Sequence, residues 1–138
     1  MAKHVIYDAV VTVNAVTLTD RARKVTWRTG TNKQPAAAMS EVQDYSMAGT
    51  LVVSPIVIEY FHDYAATNVY ITHKDLWAAR STFTLTVKAT SSADSATNPN
   101  FTCTVFIADF PLIDAARGDA HMASITYEPA ALMTFDVT

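Results

Sequence analysis

Hydrophobic and polar residues alternate with a period of two over most of this chain, a pattern that predicts strands with one buried face. Residues 82 to 90 show it most cleanly: Phe83, Leu85, Val87 and Ala89 alternate with Thr82, Thr84, Thr86, Lys88 and Thr90. The same period puts Val5, Tyr7, Ala9, Val11 and Val13 on one side of a strand over residues 4 to 13. Val16 and Leu18 lead through Thr19-Asp20 into a second strand carrying Val25 and Trp27, which Gly30 ends. Ile56, Ile58 and Tyr60 share a face over residues 55 to 62, and Phe101, Cys103, Val105 and Ile107 begin a strand that Asp109-Phe110-Pro111 closes. Arg117-Gly118-Asp119 reads as a turn before Ala123, Ile125 and Tyr127; Pro129 stops that strand, and Met133, Phe135 and Val137 alternate after it.

Three segments break the period. Thr72-His73-Lys74-Asp75 matches a capping box and predicts a short helix over about residues 72–80 that lays Leu76 and Trp77 against the strands. Residues 91 to 100 are polar and close on Asn98-Pro99-Asn100, a loop signature. From Thr31 to Gly49 no period holds, and Met39, Tyr45 and Met47 stand among polar residues. The expectation is a long loop at about 30–49, and loops of that length in a compact domain are usually functional. About seven strands and one helix make a mainly β fold, a β-sandwich or curved antiparallel sheets. With 138 residues there is room for one domain, covering 1–138. Nineteen threonines suit strand surfaces that stay partly exposed. So many strands also make edges, which a solitary subunit must cover and a polymer pairs.

Half of the residues are hydrophobic and 17% are charged, which is the composition of a packed globular chain. The net charge of -3 argues against a phosphate-binding surface. Its one basic cluster, Arg21, Arg23, Lys24 and Arg28, alternates with apolar residues and reads as a solvated strand face, or as a contact for a neighbour's acids. Cys103 lies on an alternating strand and reads as a small buried hydrophobe. No apolar signal core follows Met1-Ala2-Lys3-His4 and no apolar run spans a membrane, so the expectation is a soluble protein made in a reducing cytoplasm.

The search for chemistry returns no catalytic site. His4, His62, His73 and His121 fall in different elements without metal-ligand spacing, and three glycines cannot build a phosphate-cradling loop. His62 and Asp63 are neighbours that a strand would point to opposite faces. Asp44, Glu59 and Asp63 read as solvated carboxylates unless the fold gathers them. The chain is read as a non-enzyme without cofactor or metal.

Several runs, taken together, resemble a known family. Val13-Asn14-Ala15-Val16-Thr17-Leu18-Thr19-Asp20 and Ile56-Val57-Ile58-Glu59-Tyr60-Phe61-His62-Asp63-Tyr64-Ala65-Ala66 are similar to the early strand-turn and the middle segment of siphophage tail tube (major tail) proteins, with His62 where that segment has Gln. Ser95-Ala96-Thr97-Asn98-Pro99-Asn100-Phe101-Thr102, Pro111, Gly118-Asp119 and Ala123-Ser124-Ile125-Thr126-Tyr127 resemble the family's C-terminal half. Pro129-Ala130-Ala131 departs from it, lacking the family's glycine after the last long strand.

The resemblance implies a sandwich with one flanking helix, assembled into hexameric rings that stack into the virion's tail tube. It implies partners: other copies of the chain, the tape measure, terminator and baseplate proteins, and genomic DNA that passes through the lumen without specific binding. It also implies assembly in the host cytoplasm and a 30–49 segment that reaches a neighbouring subunit. Met39, Tyr45 and Met47 are then inter-subunit candidates. The alternative readings are another virion ring or decoration protein, or a small β-sandwich carbohydrate-binding module using Trp27, Tyr60 and Trp77.

Overall fold

In the computed structural model the described residues are 9–136. They form ten strands and one helix: β1 (Val10–Val13), β2 (Val16–Thr17), β3 (Ala22–Thr26), β4 (Thr29–Pro35), β5 (Ser46–Val53), β6 (Ile56–Phe61), α1 (Val69–Ala79), β7 (Phe83–Lys88), β8 (Asn100–Asp109), β9 (Met122–Pro129) and β10 (Thr134–Asp136). The readings placed on Val5, Tyr7 and Val137 lie outside the described residues. The fold is mainly β, as the alternation predicts, with more strands than the seven expected because β2, β4 and β5 carry little periodicity.

Eight strands form one continuous antiparallel sheet in the order β2-β1-β7-β8-β9-β6-β3, with β10 continuing along β8 beyond the end of β9. The sheet is strongly curved. In a flat sheet β3 would lie three strand spacings from β8, roughly 14 Å, yet the rings of Trp27, just after β3, and Phe101 on β8 are 6.0 Å apart. Curling brings Val11, Val13, Ile56, Ile58, Tyr60, Leu85, Val105, Ile125 and Tyr127 inward as one core. Cys103 is buried among them, as expected, and burial pushes its thiol pKa up. The Asn14-Ala15 turn joining β1 to β2 has φ of 47° and 65°, the paired left-handed residues of a tight hairpin turn.

The helix starts earlier than the capping box predicts. Thr72 is already helical, its N–H donating to the Asn68 carbonyl at 3.2 Å, and Asn68 is the N-cap without a side-chain cap bond. Burial decides this: Val69 and His73 are completely covered, so the first turn is drawn onto the core ahead of the best local cap. At the other end Arg80 adopts the left-handed conformation, with Arg80 N–H donating to Trp77 O and Ser81 N–H to Leu76 O, the closure described for helix C-termini. Leu76 packs on the core as read, whereas Trp77 is 55% exposed.

Inside the core a polar chain joins helix to sheet. His73 Nδ1–H donates to the Val69 carbonyl (2.7 Å), which leaves Nε2 to accept from the Tyr127 hydroxyl. The Tyr127 and Tyr60 hydroxyls are 2.8 Å apart, so Tyr60 donates to Tyr127. Every member is satisfied only when all are neutral. Burial accordingly lowers the His73 pKa to about 4 and raises both tyrosines, the Tyr60–Tyr127 bond counteracting this slightly at Tyr60. In the unfolded chain His73 takes up its proton near pH 6.5. Stability is therefore whole above that pH and is lost as pH falls toward 4, by roughly 3 kcal/mol in all. Urea midpoints at pH 7 and pH 4.5 should reveal this loss, and His73→Gln should flatten the dependence.

Candidate assembly interface

The segment expected to be a loop at about 30–49 is a β-hairpin, and Gly30 lies inside β4 instead of ending the preceding strand. Periodicity failed here because the segment buries neither face: every residue of β4, and β5 from Ser46 to Val52, is exposed. β4 and β5 form a separate two-stranded sheet, with no strand pairing to the eight-stranded one among the described residues. A two-stranded hairpin in water is marginal by itself, and this one has no strand of its own body beside it among the described residues.

Its tip is organised by Glu41. One carboxylate oxygen accepts from Ala38 N–H (2.7 Å) and the other from the Tyr45 hydroxyl (3.1 Å), which fixes the Tyr45 ring. Met39 and Val42 project fully into solvent at 107% and 105% exposure, Leu51 stands at 88%, and Met47 and Tyr45 are half exposed. The three candidates read from sequence are thus all on this hairpin and all accessible. Val42, Leu51 and Glu41 were missed; the apolar run Leu51-Val52-Val53 just past Gly49 was the available signal.

A bulge decides which way these side chains point. The register shifts between Thr31↔Leu51 and Lys33↔Ala48, so Gly49 and Thr50 together oppose Asn32. Asn32 Nδ2 donates to Thr50 Oγ1 across it at 2.8 Å. Residues directly opposite share a face, so Met47 and Val52 fall on the face of Gly30 and Gln34, and Leu51 falls on the other. A Cβ added at Gly49 would meet the Asn32 carbonyl oxygen at 2.9 Å and Gln34 Cγ at 3.2 Å. Gly49→Val is expected to break the cross-strand contacts between Gln34 and Met47 in NMR spectra, while the melting temperature of the body shifts by less than about 2 °C.

The outward face of the curved sheet is of another kind. Thr17, Thr12, Thr86, Thr102 and Thr134 lie opposite one another in a row across β2, β1, β7, β8 and β10, with Thr84 opposite Thr104 in the next row. Near this face Lys88 pairs with Asp94 at 3.1 Å and Arg23 with Glu59 at 3.2 Å. Arg21 pairs with Asp63 at 3.0 Å. The Asp63 carboxylate also accepts from Ala65 N–H and Asn68, and these bonds, Ala65 first, lower its pKa. Glu59 and Asp63 are thus held by separate arginines, and Asp44 lies in the hairpin tip. The aromatic residues proposed for a sugar site are also dispersed. Tyr60 is core, Trp27 lines an open groove of about 550 Å³ with Phe101, and Trp77 stands on α1 beside Phe106. Among the described residues, no group of three or more His, Cys, Asp or Glu is placed to hold a metal ion.

No protein-family profile matches the chain, and no curated protein matches it by sequence. Solved structures do match by fold. A chain of the virion of a native gene transfer agent particle superposes with a TM-score of 0.72 at 9% identity, covering 94% of this chain and 96% of that one. A chain of the tail of an empty gene transfer agent particle, from helical refinement with C6 symmetry, gives 0.67 at 9% identity over 88% and 87%. A chain of the sheath/tube terminator of the extracellular contractile injection system PVC, in the extended state, gives 0.69 at 14% identity over 99% of both. The chain therefore has the tail-tube type of fold that its sequence resemblance implied. That fold extends over gene transfer agents and contractile injection systems, so it does not single out siphophages.

Proposed function

We propose that this protein is a structural subunit of a virion tail tube, joining copies of itself into hexameric rings that stack into a conduit for DNA ejection. The observation that carries the reading is the projecting hairpin with apolar side chains on both faces. Full burial of Met39, Val42, Met47 and Leu51 would contribute roughly 1.5–3 kcal/mol each, a large reward for a segment with no packing on its own body. The C6 symmetry of a structural neighbour supports six copies per ring.

The threonine face suits the wall of the channel. Ser and Thr are poor interface anchors, so this face stays wet, and short hydroxyls between matched ion pairs offer phosphate little to hold. The net charge of -3 per copy adds a repelling field. The tape measure would occupy the lumen before DNA, and baseplate and terminator rings would close the ends. A terminator ring is a second reading, favoured by the end-to-end match to the PVC terminator.

Negative-stain microscopy of the purified chain at rising concentration separates these. Stacked rings support the tube subunit, single rings that never stack support the terminator, and particles the size of one chain at every concentration overturn both.

A further inference from the structure

Two histidines stand where β6 and β9 leave the sheet, His62 one residue beyond Phe61 and His121 one before Met122. The His62 N–H donates to the His121 carbonyl at 2.8 Å, and their rings meet edge to face with centroids 4.7 Å apart. Tyr64 and Tyr70 close around them. Both rings hold the connection between β8 and β9. His62 Nε2–H donates to the Leu112 carbonyl at 3.2 Å, sharing that oxygen with the Tyr64 hydroxyl at 2.9 Å. His121 Nε2 accepts from Asp114 N–H at 3.5 Å.

The Asp114 bond requires a neutral His121 ring, whereas His62 Nε2–H can donate to Leu112 in either charge state. A charged His121 would present N–H to N–H at Asp114. A charged His62 would gain a proton at Nδ1, an atom that is buried with no partner, next to a second imidazole. Burial already lowers the His62 pKa; the Leu112 bond and the Asp63 charge oppose this, while His121 adds to it. The other groups facing the pair do little to offset a charge. Asp63 is occupied by Arg21 and Asn68, the Tyr64 and Tyr70 rings are neutral, His73 lies behind on α1, and the loop's own Asp114 and Asp119 are exposed.

We propose that His62 and His121 form an acid-released latch: neutral rings hold the 110–121 loop against the body, and mild acid lets it go. The loop carries Leu112 and Ile113, exposed at 56% and 77%, so the latch sets where an apolar contact pair stands as a function of pH. The proposal does not depend on the tube reading.

Hydrogen exchange of the full chain at pH 7.5 and 5.5, corrected for intrinsic rates, tests it. The Asp114 amide is expected to lose on the order of tenfold in protection, while the amides of β7 and β8 keep theirs. In the His62→Gln/His121→Gln variant, whose side chains cannot charge, loop protection should be equal at the two pH values. Constant protection in the native chain, or a loss that survives in the variant, overturns the latch. If the variant fails to fold, an NMR titration of the native chain decides instead. The His62 imidazole resonances and the loop amides should move with a common midpoint, and loop amides that stay in place while His62 titrates overturn the proposal.

Discussion

Tyr127→Phe, which deletes one oxygen, should destabilise the fold by about 2–4 kcal/mol, whereas Tyr60→Phe should cost about 1 kcal/mol. The asymmetry follows from the direction of the buried chain. Tyr127 is both donor to His73 Nε2 and acceptor from Tyr60. Its loss strands a ring nitrogen and a hydroxyl together, both fully buried. Loss of the Tyr60 hydroxyl takes away only a donor, and Tyr127 still satisfies His73. Urea denaturation of the two variants at pH 7 checks this ordering. Equal costs would mean that the three groups do not form a directed chain.

The second large effect concerns assembly. Replacing residues 31–51 with an Asn-Gly turn between Gly30 and Val52 is expected to leave the melting temperature of the body within about 2 °C of the native value. Self-association is expected to vanish. The hairpin lends the body no buried side chain, so its removal leaves the core intact. It does carry Met39, Val42, Met47 and Leu51, the exposed apolar residues a partner would cover. Analytical ultracentrifugation of the shortened chain should show a single small species over the concentration range in which the native chain associates. Retained association would transfer the interface to the sheet edges or to the Leu112-Ile113 loop.

How much of this was legible in sequence depends on how local each determinant is. β6 and β7 could be read directly because each buries one face completely, so Ile56, Ile58, Tyr60 and Phe83, Leu85, Val87 register as alternation. The hairpin was invisible to the same test because alternation records burial, and β4 and β5 bury nothing within the chain. Composition pointed to Met39, Tyr45 and Met47, but the bulge at Gly49 that divides the hairpin's faces depends on register across two strands. The start of α1 was misplaced by the Thr72-Asp75 pattern because Val69 and His73 gain more from core contact than a cap supplies. His73 itself reads from sequence as one of four scattered histidines; only the fold brings it against Tyr127.

The central claim is that the β4–β5 hairpin is completed by another copy of the same chain. Electron cryo-microscopy of the assembled protein, at a resolution that traces the backbone, tests it most directly. The expected map has each hairpin leaving its own subunit and seating Met47 and Leu51 against a neighbour. A map in which the hairpin folds back on its own sheet, or stays in solvent between subunits, contradicts the account.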